Sequence, residues 1–181
     1  MAKIPNNAQR VFSGKIYDVY QWQQQLFDGS YTTFECLQRR PTVKVIAVVN
    51  DHITLLHEQQ PGRKPFIDIP GGRADSYQEA PEDVARRELE EETGLVADDL
   101  TLWFVYNNSG KIDWPVYYYV AHCVKKSQPT AEAGEHIEAQ YVDFDTFLST
   151  TQQDSFRDFM LAHKILYLLY HNKIDELKKL M

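Results

Sequence analysis

GGRADSYQEAPEDVARRELEEETGL, residues 71–95, decides how this chain is read. Near its end Glu88, Glu90, Glu91 and Glu92 crowd four carboxylates into five positions. On a helix, like charges three or four residues apart each cost roughly 0.2–0.5 kcal/mol. Carboxylates near a helix C-terminus also oppose the macrodipole. A local rule broken this openly marks function, and a divalent cation is the simplest agent that would reverse the repulsion. The segment carries its own helix signals. Pro81 suits an early helical position, Glu82 and Asp83 suit the first turn, and Gly94 suits the stop, so the spacing predicts a helix over 81–93. At about 100° per residue, Glu88, Glu91 and Glu92 fall within an arc of about 100°. Ala85 and Leu89 form the neighbouring apolar stripe that would anchor the helix on a sheet. Arg87, four residues before Glu91, stands where it can hold that carboxylate, while Glu90 points elsewhere, to solvent. Three convergent carboxylates make a hard-oxygen site that suits Mg²⁺ or Mn²⁺. The turn Pro70-Gly71-Gly72 adds carbonyls, and its glycines let the backbone approach closely. The bland alternative, a solvated acidic helix face, does not account for the Gly-Gly turn, the internal arginine and the glycine stop together.

Outward from this helix the pattern is mostly β. VKVIAVV (43–49) reads as a buried strand, Asn50-Asp51 as a turn and HITLLHEQQ as the next strand. PGRKPFIDIPGG reads as a loop, a short strand over 66–69 and a glycine-rich turn. LTLWFVY and WPVYYYVAHCV follow as strands joined by the loop NNSGKID, and IEAQYVDF (137–144) as another after the polar loop SQPTAEAGEH. Residues 155–170 have a helical pattern, with Phe156, Phe159, Met160, His163, Leu166, Tyr167 and Tyr170 near one side, and IDELKKLM would extend it. Ahead of all this, residues 11–40 look like β structure in pieces, turning at Asp28-Gly29-Ser30. The expected fold class is α+β: a mixed sheet flanked by helices, with an N-terminal β-hairpin extension. Residues 1–40 would form that extension and 41–181 the main domain.

The 181 residues suit one domain, or one with a small appendage, and 43% hydrophobic content supplies a real core. A net charge of −7 argues against a general nucleic-acid binder, though not against a nucleotide, because bound metal can reverse the local sign. Cys36 and Cys123 belong to no C-x-x-C pair, so the expectation is two reduced, half-buried thiols. The start, MAKIPNNAQRVFSG, lacks the apolar run of a signal peptide, and no segment is long enough to span a membrane. The expected location is the cytoplasm.

These residues resemble the Nudix hydrolases. The family's box is G-x5-E-x7-R-E-U-x-E-E-x-G-U, with U a bulky apolar residue. Glu79, seven residues, and then Arg87-Glu88-Leu89-Glu90-Glu91-Glu92-Thr93-Gly94-Leu95 match every position. One departure exists: six residues, RADSYQ, rather than five, separate Gly72 from Glu79. The insertion falls in the loop before the helix, where length changes are tolerated. The resemblance implies the α/β/α sandwich of the Nudix fold. It also implies hydrolysis of a nucleoside diphosphate linked to another moiety, by water attack at phosphorus, with two or three Mg²⁺ or Mn²⁺ ions. It further implies that Glu88 and Glu92 are metal ligands, that Glu91 bridges or orients a metal-bound water, that Gly71 or Gly72 supplies a carbonyl ligand, and that Arg87 and Glu79 form a salt bridge fixing the carboxylates.

Within the family the chain is similar to the ADP-ribose and nucleoside-diphosphate-sugar pyrophosphatases. The β segment ahead of the box, the stretch LLHEQQPGRKPFIDIPGG and the loop YNNSGKIDW carry that likeness, although Gly71 replaces the branch's alanine and the loop lacks its proline. The likeness implies a homodimer in which the N-terminal strands reach the partner subunit. It also implies a general base in the loop after the strands. Glu135 best matches that position, with Glu132 and Glu138 as neighbours and Ala133 where the branch's commoner acid stands. Arg63 is either a phosphate-holding fork or a solvated loop residue, and Phe66 either lines the substrate pocket or packs in the strand. The hairpin aromatics (Tyr17, Tyr20, Trp22, Tyr31, Phe34) either stack a base or pack a dimer interface. Neither nucleic acid nor membrane is an expected partner. Two other readings remain: a Nudix pyrophosphatase for dinucleoside polyphosphates or nucleoside triphosphates, and a non-catalytic nucleotide-sugar sensor, which would usually have lost box glutamates.

Overall fold

Strands lead and helices follow in this computed structural model, which describes residues 4–107, 110–125, 129 and 136–181. The elements are β1 (Gln9–Ser13), β2 (Tyr17–Gln25), β3 (Tyr31–Arg39), β4 (Thr42–Val49), β5 (His52–Gln59), β6 (Phe66–Asp68), α1 (Pro81–Thr93), β7 (Leu95–Asn107), β8 (Ile112–Asp113), β9 (Pro115–Lys125), β10 (His136–Val142), α2 (Phe144–Thr150), α3 (Phe159–Tyr170) and α4 (Asp175–Lys178). The main sheet has the order β10-β5-β4-β9-β7, with β6 paired to β5. It is mixed: β4 and β9 run parallel, and the other pairs are antiparallel.

The twofold pleat of the central strands splits the core in two. Val43, Val45 and Ala47 of β4, with Tyr119, Ala121 and Cys123 of β9, face α1 and receive its Val84, Ala85 and Leu89. Ile46 and Val48, with Tyr118 and Val120, face the other way, onto Phe147 of α2, Leu161, Ile165 and Leu168 of α3, and Leu177 of α4. Full burial of a side chain such as Leu89 contributes about 1.5–3 kcal/mol, so α1 is held to the sheet by its apolar stripe despite the charge crowded on its other side. Helices on both faces of a mixed sheet confirm the expected class.

The strands from 43 to 69 and the helix over 81–93 fall where the sequence reading puts them. Asn50 and Asp51 both have positive φ (49° and 61°), the requirement of a two-residue hairpin turn that Asn and Asp tolerate. Several features differ. The N-terminal region is a three-stranded meander rather than a single hairpin, because the chain turns at Gly14, whose N–H donates to the Tyr17 carbonyl (2.9 Å). Strand β8, read as loop from sequence, pairs in parallel with β3 and completes a second, four-stranded sheet. Asp143 ends β10 and caps α2, its carboxylate accepting from the Thr146 N–H at 2.7 Å, so Phe144 begins a helix instead of ending a strand. Finally, α3 buries Leu161, Ile165 and Leu168. Of the residues that share one side in the sequence pattern, Phe156 is buried ahead of the helix, whereas Phe159, Leu166, Tyr167 and Tyr170 are exposed on it. Cys36 and Cys123 are fully buried rather than half-buried, and no disulfide joins them. No helix among the described residues is long and apolar enough to cross a membrane.

Candidate active site

The Gly-Gly turn is sewn to the sheet beside the acidic end of α1. Val45 N–H donates to the Pro70 carbonyl (2.8 Å), Val43 N–H to the Gly72 carbonyl (2.9 Å) and Ala74 N–H to the Pro41 carbonyl (2.9 Å). Gly71 has φ 148°, and a Cβ there would collide with the Val43 carbonyl oxygen. A Cβ on Gly72 would occupy the space of the Glu88 carboxylate. Only glycine lets the backbone come this close to the carboxylates. The helix ends as its sequence requires, with Gly94 left-handed at φ 68° and its N–H on the Glu90 carbonyl.

Arg87 is the hub of the carboxylate wall. Its guanidinium lies 2.9 Å from Glu88 Oε1, 3.3 Å from Glu91 Oε2 and 3.3 Å from Glu79 Oε1. Glu79 uses its other oxygen to accept from the Asp75 N–H at 2.6 Å, which anchors the loop carrying the inserted residue. Burial opposes the charge on Arg87, but Glu88 and Glu79 outweigh it and raise its pKa above the ordinary arginine value. Glu92 stands deeper, accepting from the Gly71 N–H at 2.8 Å. Burial pushes its pKa up to about 8, against partial relief from Lys44 and that N–H, and Glu58 and Glu88 push the same way. Burial likewise raises Glu88, against the pull of Arg87. Glu90 is exposed, as expected.

Below this wall lies a buried cluster of charge. Lys44 Nζ is 2.7 Å from Asp68 Oδ2 and 3.2 Å from the Ile69 carbonyl. Burial would lower its pKa, but Asp68, Asp158 and Glu92 overcome that and raise it. Asp158 caps α3 by accepting from the Leu161 N–H (3.0 Å), and it also accepts from the Tyr118 hydroxyl (2.9 Å). Three arginines from distant parts of the chain line the same cleft. Arg39 lies over the Trp114 ring, 4.4 Å from its centroid, with its buried Nε unpartnered. Arg73 donates to the Lys15 carbonyl (3.3 Å), and Arg157 stacks 4.6 Å over Phe66. Among the described residues their partners are rings and a carbonyl rather than carboxylates. Burial, with the like charges of Arg73 and Arg157, lowers the pKa of Arg39. Acidic wall, buried cluster and arginines line one cleft of about 500 Å³, within the usual range for a small-molecule site.

A match to the NUDIX domain covers residues 38–162. The chain belongs to the Nudix family. It is 29% identical over 165 residues to the ADP-ribose pyrophosphatase of Bacillus subtilis (strain 168), covering 88% of this chain and 89% of that protein. It is 28% identical over 130 residues to the methanol dehydrogenase activator of Bacillus methanolicus, covering 70% of each. A crystal structure of an ADP compounds hydrolase superposes with a TM-score of 0.71 over 93% of this chain and 95% of that one; at 19% identity this likeness concerns the fold. The chain is thus a Nudix pyrophosphohydrolase related to an ADP-ribose pyrophosphatase.

The Nudix cleft gathers Glu88, Glu91, Glu92, Arg87, Gly71 and Gly72 from the expected set, with Glu79 behind Arg87. Arg63 is exposed on the loop before β6 and does not line this cleft. Phe66 lines a separate hollow and reaches the cleft only as the ring under Arg157. Glu135 and Glu132 lie outside the described residues, and Glu138 is exposed beside the second hollow. Sequence reading missed Arg39, Lys44, Asp68, Arg73, Arg157, Asp158 and Trp114. Lys44 had a signal: it is the one charge inside the apolar run VKVIAVV, and a charge in a buried strand needs a partner. The arginines had none, because only folding brings them together.

Divalent ions suit the donor set. Glu88, Glu91, Glu92 and the Gly-Gly carbonyls are all hard oxygens, and the missing Cβ at Gly72 lets the Glu88 carboxylate lie directly against the turn's backbone. Among the described residues no three acidic, imidazole or thiol side chains converge closely enough to hold an ion by themselves. Arg87 draws Glu88 and Glu91 onto itself instead. Mg²⁺ is ordinarily bound by one or two carboxylates, with waters and substrate phosphates completing its shell.

Proposed function

We propose that this Nudix enzyme hydrolyses the pyrophosphate bond of a nucleoside diphosphate sugar, ADP-ribose or a close relative, to a nucleoside monophosphate and a sugar phosphate. It would do so as a cytoplasmic homodimer using Mg²⁺ or Mn²⁺, two or three ions in all. The observation that carries the reading is the charge of the cleft: a carboxylate wall shares it with Arg39, Arg73 and Arg157, three cations with no carboxylate partner among the described residues. Such a cleft fits a polyanion flanked by metal. The similarity to an ADP-ribose pyrophosphatase along 88% of the chain supports the substrate class.

Glu88 and Glu92 would hold metal with the Gly71 carbonyl, since the Gly72 carbonyl already accepts from Val43. Glu91, the most exposed of the three, would bridge or orient the attacking water. The bound ions would neutralise the diphosphate and activate water for attack at phosphorus. Arg87 and Glu79 position the carboxylates: the fork of Arg87 holds two of them and Glu79 fixes the fork. Arg39, Arg73 and Arg157 would orient the diphosphate oxygens. Glu135 remains our choice of general base; Ile137, two residues on, lines the cleft. Arg63 and Phe66 would contribute only from outside it. Dimerisation through residues 1–40 is supported by the apolar side chains exposed there, Val11, Phe12, Ile16, Phe27 and Tyr31.

The test is turnover with Mg²⁺ or Mn²⁺ on a panel of ADP-ribose, ADP-glucose, GDP-mannose, UDP-glucose, a diadenosine polyphosphate and 8-oxo-dGTP, with Glu92→Gln as control. Glu92-dependent release of two monophosphates from ADP-ribose or a nucleotide sugar is the expected result. Preference for the triphosphate or the diadenosine compound would overturn the substrate class, and tight binding without turnover would overturn catalysis.

A further inference from the structure

Among the described residues the cleft has an aromatic face with no ring or cation partner. Trp114 is committed twice, to Arg39 over its ring (4.4 Å) and to Thr42 Oγ1 through its indole N–H (2.8 Å). Tyr118 is buried, stacked on Phe104 with centroids 4.3 Å apart, and its hydroxyl is held by Asp158. Phe159 also lines the cleft, yet it is 68% exposed and has no ring or cation partner among the described residues. It is the first residue of α3, and its backbone is fixed on both sides. Asp158 before it caps the helix, and Arg157 N–H donates to the Ile67 carbonyl at 2.8 Å. Met160 and Ile137 line the cleft beside it. This wall is therefore apolar, carried on a fixed backbone and, among the described residues, without a ring or cation on it, in a cleft otherwise lined mostly by charge.

We propose that Phe159 is the stacking platform for the nucleobase and so a specificity-determining residue. This rests on the nucleotide-substrate reading above. A base offers an apolar π-face to water and gains by covering an exposed ring. The charged interior, by contrast, suits the diphosphate, so the two ends of a nucleoside diphosphate sugar would sort by polarity along the cleft. Stacking without hydrogen bonds tolerates every base, so the platform would favour nucleotides over base-free phosphates more than one base over another.

The experiment compares wild type, Phe159→Ala and Phe159→Trp for inhibition by AMP and by ribose 5-phosphate, and for KM and kcat on ADP-ribose. Loss of one stacked base corresponds to about a 5- to 100-fold loss of affinity. Phe159→Ala is expected to weaken AMP and raise KM within that range, to leave ribose 5-phosphate and kcat nearly unchanged, and to be rescued by Phe159→Trp. Equal weakening of both inhibitors, or no change in AMP, would overturn the proposal. If wild type hydrolyses ADP-ribose while Phe159→Ala keeps its AMP affinity but changes sedimentation, Phe159 belongs to an interaction face of α3, and the proposed function stands without the platform. If wild type neither binds AMP nor cleaves any nucleotide sugar, the nucleotide reading itself fails.

Discussion

Glu92→Gln separates the cost of the carboxylate wall from its use. In the metal-free protein, burial raises the pKa of Glu92 from an ordinary 4.5 to about 8. Below about pH 4.5 the folded and unfolded chains both carry the proton, and Glu92 does not oppose folding. Between about pH 4.5 and 8 the unfolded chain has released the proton while the folded chain keeps it, so stability falls as pH rises. At about 1.4 kcal/mol per unit, the rise sets an upper bound of about 5 kcal/mol once the pH exceeds 8. Solvent reaching the partly open cleft reduces this to on the order of 2–4 kcal/mol. Glu92→Gln removes the ionisation and keeps the size. Urea unfolding in chelator should therefore show the variant gaining on wild type as pH rises from about 5 to about 9, with little difference at the acid end. Mg²⁺ should reverse the order, stabilising wild type and not the variant, while turnover falls by about 100-fold or more because the carboxylate proposed to hold metal is lost. Parallel stability curves for the two proteins across this pH range would refute the reasoning, since Glu92 would then ionise as an ordinary carboxylate.

Four further outcomes follow from the same geometry. Arg87→Lys keeps the charge but loses the fork that spans Glu79, Glu88 and Glu91, so kcat should fall about 10- to 100-fold, measured beside a melting curve that shows the chain still folded. Gly72→Ala puts a methyl group where the Glu88 carboxylate lies, and Mg²⁺ affinity, read by calorimetric titration, should weaken about 10-fold or more. In α3, Leu161→Ala should cost about 2–5 kcal/mol in urea unfolding, because Leu161 is fully buried. Leu166→Ala, on the exposed side, should stay within about 0.5 kcal/mol.

The packing side of α3 was not legible in the sequence, for a simple physical reason. FMLAHKILYLLY is apolar nearly all round, so its period announces a helix without saying which side packs. The aliphatic row Leu161, Ile165 and Leu168 packs in one cluster with Tyr118, Val120 and Phe147, and Leu166, Tyr167 and Tyr170 were left outside. Helix α2 was missed for a smaller reason. Asp143 reads equally as the end of a strand or the cap of a helix, and the hydrogen bond to Thr146 that settles it becomes visible only with coordinates. Strand β8 is two residues long and exists only because β3 lies beside it.

What the sequence determined by itself is local. Residues 81–94 carry a helix start, an apolar stripe, an acidic arc and a glycine stop, all within a few turns of one another. Each signal acts through backbone geometry or through neighbours three and four residues away, so no knowledge of the rest of the chain was needed. The tertiary structure alone decided which other charges share the cleft. Arg39, Arg73 and Arg157 come from β3, from the turn before α1 and from the loop before α3, and Lys44 meets Asp68 and Asp158 only across the folded sheet. Charges so far apart in sequence leave no periodic trace. Their pairing, burial and mutual repulsion arise only when the sheet closes the distance and the cleft excludes water, which is what turns a row of acidic residues into one side of a site.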